Sequence, residues 1–389
     1  MSSLFRDDLD AIPAYIPGRS IPGAIKISSN EVTDAPDQSI IDAVATAVAG
    51  GNRYPDTSSK ELRTAIAAAL TQDLCARASL DNASDNASSG EGDDNAVTGA
   101  TETTEITPEQ IVVGNGSVSL LQHLVQAACP AGSNLVMPWR SFEAYPIMGY
   151  VAQATLVQVP NLPNGKHDLA ALAAAAQDPN TGMVLLCNPN NPTGETFTHA
   201  ELVTFLDAIP SNVLVALDEA YYHYNRTEDF PRSLELLSSY PNLVVLRTFS
   251  KAYGLAGFRV GYFVGSEEAC SNLSKTVIPF STSLAAQAAA RAALTIRDQL
   301  LARTDAIVAE RERVTKELRA MGFQVDNSQA NFVWLPRSDA QQLIDYLIQR
   351  KVIIRGFPGE GIRVTIATPE ENTQFLNVIA DYPAIRPEI

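Results

Sequence analysis

From about Glu109 to Ser266, short apolar runs alternate with amphipathic stretches, and this alternation constrains the fold of the 389-residue chain more than any other feature. The runs lie at 111–113, 134–137, 183–187, 213–217, 243–247 and 260–264. Most are continuously apolar, as strands buried on both faces must be. Between them, segments such as 117–128 and 199–208 carry apolar residues at helical spacing. Repeated βα units of this kind build an α/β fold with a mostly parallel central sheet flanked by helices. After about Pro279 the pattern changes to a long helical region over 283–321 that ends at Gly322. Strands are predicted beyond it near 331–335, 352–355 and 362–366, a smaller α+β unit. Because the chain exceeds the usual size of one core, it is read as two domains. Residues 1–45 form an N-terminal arm that joins the small domain, 46–278 the large domain, and 279–389 the small C-terminal domain.

The formal net charge is −16, which excludes nucleic acid or an anionic membrane surface as partner, since neither polyanion attracts such a protein. Seven of the negative charges fall between Asp81 and Glu105. The segment 78–105 has no Lys or Arg and almost no large apolar residue, so it is predicted as an acidic flexible insertion. The cysteines, Cys75, Cys129, Cys187 and Cys270, form no CxxC pair and have no nearby His to complete a metal site, so no metal is expected. With reduced thiols, no signal-peptide pattern and no apolar run of spanning length, the protein is placed in the cytoplasm.

Chemistry concentrates where the apolar runs end. TFSKAYGLAGFR, at 248–259, follows one of them directly and puts Lys251 where open α/β sheets place ligands. The hydroxyls of Thr248 and Ser250 and the guanidinium of Arg259 supply the donors and charge that a phosphate ester needs. A lysine beside a phosphate anchor is suited to a Schiff base with an aldehyde cofactor. LVALDEAY, at 214–221, ends a second run with Asp218 and carries Tyr221 three residues on. Burying that carboxylate requires a cation, and a protonated pyridine nitrogen is one; a helix N-cap is the structural alternative. CNPNNPTG, at 187–194, fixes a tight loop that can aim the Asn191 amide at a ligand. GNGS, at 114–117, opens a helix whose N-terminus favours an anion.

Taken together and in this order, the four motifs resemble those of the fold-type I aminotransferases that depend on pyridoxal 5′-phosphate (PLP), in their histidinol-phosphate aminotransferase-like branch. The resemblance covers nearly the whole chain apart from 78–105. It implies that Lys251 carries the cofactor, that Asp218 partners its pyridine nitrogen, and that Asn191 and Tyr221 contact its phenolate oxygen. Gly116, Ser117, Thr248, Ser250 and Arg259 would form the phosphate cup. Phe142 would stack on the ring, with Tyr145 beside it on the substrate side. Tyr54 resembles the tyrosine that reaches the neighbouring subunit's phosphate, which implies a homodimer with shared sites. Arg363, assisted by Asn331, would hold the substrate's α-carboxylate, and Arg355 its distal group.

The implied reaction is ping-pong transfer of an amino group between small amino acids and 2-oxo acids, with 2-oxoglutarate as acceptor. Near the N-terminus the chain reads SSNEVTDAP at 28–36, where histidinol-phosphate enzymes usually carry NENPxGP. The stretches PGAIKISSNE, WRSFE and SQANFVW are more similar to actinobacterial aromatic-amino-acid (phenylalanine) aminotransferases. The expected donors are therefore phenylalanine, tyrosine and tryptophan, with histidinol phosphate as the alternative. A PLP lyase such as an O-phosphothreonine decarboxylase shares the fold. A PLP-fold transcription regulator would need an added DNA-binding domain, and no basic helix pair is present.

Overall fold

A computed structural model of the chain describes residues 21–88 and 105–383, together with Leu4, Arg6, Leu9, Asp10 and Ile12. The described chain begins with β1 (Ile25–Lys26), α1 (Gln38–Val48) and α2 (Lys60–Ser88). The last of these corrects one expectation. The predicted flexible insertion 78–105 starts as helix, because α2 continues to Ser88; residues 89–104 of it lie outside the described residues. Residues 78–88 contain neither Gly nor Pro, so a helix already nucleated upstream propagates through them at little cost.

Strands and helices then alternate as the apolar runs require: β2 (Ile111–Gly114), α3 (Ser117–Ala128), β3 (Asn134–Trp139), α4 (Ala144–Ala152), β4 (Thr155–Pro160), α5 (Leu169–Ala175), β5 (Thr181–Cys187), α6 (His199–Ala208), β6 (Leu214–Asp218), β7 (Leu243–Thr248) and β8 (Gly261–Val264). Among the described residues these strands form one sheet in the order β2-β8-β7-β6-β5-β3-β4. Every pairing is parallel except those of β8, which runs antiparallel to both β2 and β7. All six predicted strands are present. β4 is an addition, a partly exposed edge strand whose TLVQVP lacks the unbroken apolar run of its buried neighbours. Alternate residues of the central strands feed two separate cores. Val184, Leu186, Val215 and Leu217 face one helical layer, and Met183, Leu185, Cys187 and Ala216 face the other.

After α7 (Glu267–Ser274), the helical region predicted over 283–321 is two helices, α8 (Leu284–Thr295) and α9 (Arg297–Ala320), broken at Ile296 (φ −117°, ψ 24°). The buried face of α8 is alanine at 286, 289, 290 and 293, small enough for α1 to pack closely against it. The chain continues with β9 (Phe332–Pro336), α10 (Ala340–Gln349), β10 (Val352–Ile353), β11 (Arg355–Phe357), β12 (Gly361–Thr365) and α11 (Pro369–Ile379). The strand predicted near 352–355 divides at Ile354. β10 pairs in parallel with β1, while β11 joins the antiparallel sheet β11-β12-β9. Through β1 the N-terminal segment is stitched to β10, and Ile27 is buried in one core with Val333, Val364 and Phe375. Among the described residues no helix is long and apolar enough to cross a membrane.

Candidate active site

Strand register, parallel from β5 to β7 and antiparallel between β7 and β8, brings the strand ends together. Cys187 on β5 lies opposite Asp218 on β6, Asp218 lies opposite Leu246 on β7, and Thr248 at the end of β7 lies opposite Gly261 on β8. Above these ends is a cavity of about 320 Å³. Its wall includes Ser117, Phe142, Asn191, Asp218, Tyr221 and Lys251, with Thr248, Ser250 and Arg259 at one end. The side chains that the motifs singled out from four separate segments thus meet in one place.

Asp218 continues the alternation of β6 onto the face of Ala216, which puts its carboxylate inside the protein. Its Oδ2 accepts from the Tyr145 hydroxyl at 3.0 Å and its Oδ1 from the Ala220 amide at 3.1 Å. Burial raises its pKa to about 6, against the lowering effect of those two hydrogen bonds. Tyr145, expected on the substrate side, is fully buried, and its hydroxyl donates to Asp218. The first turn of α4 points its ring beneath the cavity floor, edge-on to Phe142 at 5.5 Å.

Lys251 follows β7, and its Nζ donates to the Ser29 carbonyl at 3.1 Å. Burial, with Arg363 and Arg259 nearby, lowers its pKa to about 7; Glu31 and Asp218 pull the other way. The Tyr221 hydroxyl accepts from Asn30 Nδ2 at 2.9 Å, so its own proton remains available to donate. Burial pushes its pKa up to about 12. Asn191 Oδ1 accepts from Arg363 Nη1 at 2.5 Å, and Arg363 Nη2 donates to the Ser28 carbonyl at 2.7 Å. Asn331 donates through Nδ2 to the Asn30 carbonyl at 3.2 Å.

At the cationic end, Gly116 is the N-cap of α3 with φ 82° and Ser117 is its first residue. The Ser250 amide donates to Thr248 Oγ1 at 3.0 Å, and Arg259 Nη1 donates to Ser250 Oγ at 3.3 Å. A Cβ at position 116 would lie 2.6 Å from Arg259 Nη2, so only glycine leaves that guanidinium its place. Of the predicted residues, Gly116, Tyr145, Asn331 and Arg363 stand behind the cavity wall and are joined to it through the contacts above, while Tyr54 and Arg355 stand further from it. Tyr54 is 80% exposed and stacks on Phe280 with ring centroids 4.5 Å apart. Arg355 forms a two-point ion pair with Glu143.

Sequence reasoning missed the part played by Ser29, Asn30 and Thr365. Asn30, at φ 55°, receives a hydrogen bond from Thr365 Oγ1 and donates one to the Tyr221 hydroxyl, while Ser29 beside it lines the cavity. The available signal was the polar triplet Ser28-Ser29-Asn30 directly after the apolar Ile27, the same run-then-polar pattern that marks the other strand ends.

Comparison with known proteins agrees with this arrangement. The family model for aminotransferase class I and II matches residues 22–379. An aromatic amino acid aminotransferase of Rhodococcus jostii is 46% identical over 377 residues, covering 97% of this chain and 95% of that protein. One of Nocardia farcinica is 45% identical over 389 residues, covering 99% of both. The crystal structure of a histidinol-phosphate aminotransferase from Sinorhizobium meliloti, in complex with pyridoxal-5′-phosphate, superposes with a TM-score of 0.82 at 26% identity, covering 98% of each chain. With a family match across almost its whole length and polar strand ends gathered around a single lysine, the chain belongs to the class I and II aminotransferases and is an enzyme.

Proposed function

We propose that this aminotransferase moves the amino group of phenylalanine, tyrosine or tryptophan to 2-oxoglutarate by a ping-pong reaction. The observation that carries the reading is the pairing, in one cavity, of a lysine lowered to about 7 with a buried carboxylate raised to about 6. The names of relatives 44–46% identical over nearly the full length support the aromatic donors.

The cofactor is pyridoxal 5′-phosphate, and the residues present fit it. Asp218 is a buried carboxylate with no Lys or Arg at ion-pair distance among the described residues, the setting that a pyridinium nitrogen completes. The opposite end gathers a guanidinium, three hydroxyls and a helix N-terminus, a donor set for a dianion. When bound, the cofactor supplies an aldehyde that takes up the substrate's amino group and a ring that draws electrons from its α-carbon.

Ser117, Thr248, Ser250 and Arg259 would hold the phosphate end, Phe142 would cover the ring, and Asp218 would keep a proton on the ring nitrogen. Asn191 and Tyr221 would donate to the ring oxygen. Lys251 Nζ is divided between free amine and ammonium near neutral pH, so it can take the α-proton and give it back. Arg363, already aimed at the cavity wall through Asn191, receives the α-carboxylate. The reading includes a homodimer, supported by the exposed Tyr54–Phe280 stack, and a cytoplasmic location, supported by four cysteines that are all free.

Two measurements test these assignments. Gly116→Ala forces a strained backbone and displaces Arg259, so the dissociation constant of the cofactor should rise about tenfold in a titration of the apoenzyme. An unchanged constant would remove Arg259 from the phosphate cup. Separately, excess L-phenylalanine should discharge the absorbance of the PLP form roughly 10–100 times faster than L-histidinol phosphate does. The reverse order would assign the enzyme to histidinol phosphate, and no discharge by either would overturn aminotransfer.

A further inference from the structure

Arg355 on β11 lies directly opposite Arg363 on β12, so both guanidinium groups leave the same face of the small sheet. Arg363 reaches inward to Asn191 in the cavity wall. Arg355 reaches Glu143, the residue after the wall residue Phe142. Its Nε donates to Oε2 at 3.0 Å and its Nη2 to Oε1 at 2.7 Å, a two-point pair at the cavity rim. The side chains are 21% and 31% exposed, so Glu143 has water to turn into. A purely structural strut is redundant here, because Arg140 and Glu360 already tie the same loop to the β11–β12 turn.

The two half-reactions proposed above send unlike side chains through one site, an aromatic ring in one and a carboxylate in the other. Beside a ring, loss of the Glu143 carboxylate would cost the partly buried Arg355 a two-point, charge-assisted pair. A fixed Glu143 would instead repel the carboxylate. We infer that Glu143 is the specificity-determining residue that reconciles the two. It occupies Arg355 as a stand-in for a distal carboxylate while a ring is bound, and turns out to solvent when a dicarboxylic substrate brings its own. The exchange replaces one carboxylate by another on the same fork, so the count of charge-assisted hydrogen bonds is conserved. The inference rests on the two-substrate reading.

The test uses Glu143→Gln in the PLP-loaded enzyme and two unreactive ligands, glutarate and 3-phenylpropanoate, with binding followed by calorimetry. Loss of the internal competitor should tighten glutarate about tenfold, while loss of the two-point charge pair to Arg355 weakens 3-phenylpropanoate about threefold. In an Arg355→Leu background the same substitution should move neither constant, because the coupling partner is gone. Equal shifts for both ligands, no shift in either, or an undiminished effect without Arg355 would overturn the inference. Wild-type half-reactions with L-glutamate and L-phenylalanine separate the two levels of the argument. If the enzyme converts neither, the aminotransfer reading fails and this inference with it; if it converts both while Glu143→Gln shifts the two ligands alike, only the role of Glu143 fails.

Discussion

Replacing Lys251 with alanine is expected to lower kcat for transamination by about 10⁴-fold or more, because one amine both anchors the cofactor and carries the α-proton. Its position leaves no substitute. Lys26, the other lysine near the N-terminal segment, is exposed and lies beside Glu31 at 3.7 Å. Borohydride should fix the cofactor to the wild type and none to the variant, while the phosphate cup still binds it reversibly. In the wild type, Lys251 is lowered to about 7 chiefly by burial. Below that pH the free-amine fraction rises about tenfold per pH unit, and above it levels off. The rate at which the apoenzyme captures PLP should follow the same curve. Activity within tenfold of wild type in Lys251→Ala would remove this lysine from the chemistry.

Asp218→Asn is expected to have the next largest effect, and in two opposite directions. An amide cannot hold a proton on the ring nitrogen by charge, so kcat should fall by about 10²–10⁴-fold, with cofactor attachment far less affected. The apoenzyme should become more stable. The folded pKa of Asp218 is about 6, above the ordinary 3.8, because burial penalises the charged form. Between those values the folded state binds more protons than the unfolded one, so stability falls as pH rises through this window and remains reduced above it. Removing the charge should restore roughly 3 kcal/mol to the apoenzyme well above pH 6, and nothing below the ordinary carboxylate range. Thermal melts of both apo forms across that range check the sign. A variant that loses stability at neutral pH would mean that the carboxylate is held by an internal cation instead.

Much of this site was legible in the sequence because it sits at the ends of strands. An apolar run buried on both faces has one polar successor, and parallel pairing puts those successors side by side. Lys251, Asp218, Asn191 and Thr248 follow from that rule. Tyr145 does not, because its partner depends on how α4 lies across the sheet, 73 residues from Asp218. Asn30 was harder still, its partners Tyr221 and Thr365 lying 191 and 335 residues away. The division of β10 from β11 at Ile354 was hidden because a continuous apolar run does not reveal that its halves belong to different sheets. For 78–88, composition favoured a loop, while the helix arriving from upstream carried on through it.

The hydrogen bonds that Thr365 and Arg363 donate to Asn30 and Ser28 join two segments 335 residues apart, the second synthesised long after the first. The large sheet can assemble from sequence-local βα units while β12 has yet to emerge, but the cover over Lys251 cannot. During synthesis, the lysine and its carboxylate are therefore in place before the wall that selects what reaches them. Completion of the C-terminal strands is the step that turns a folded scaffold into a selective enzyme.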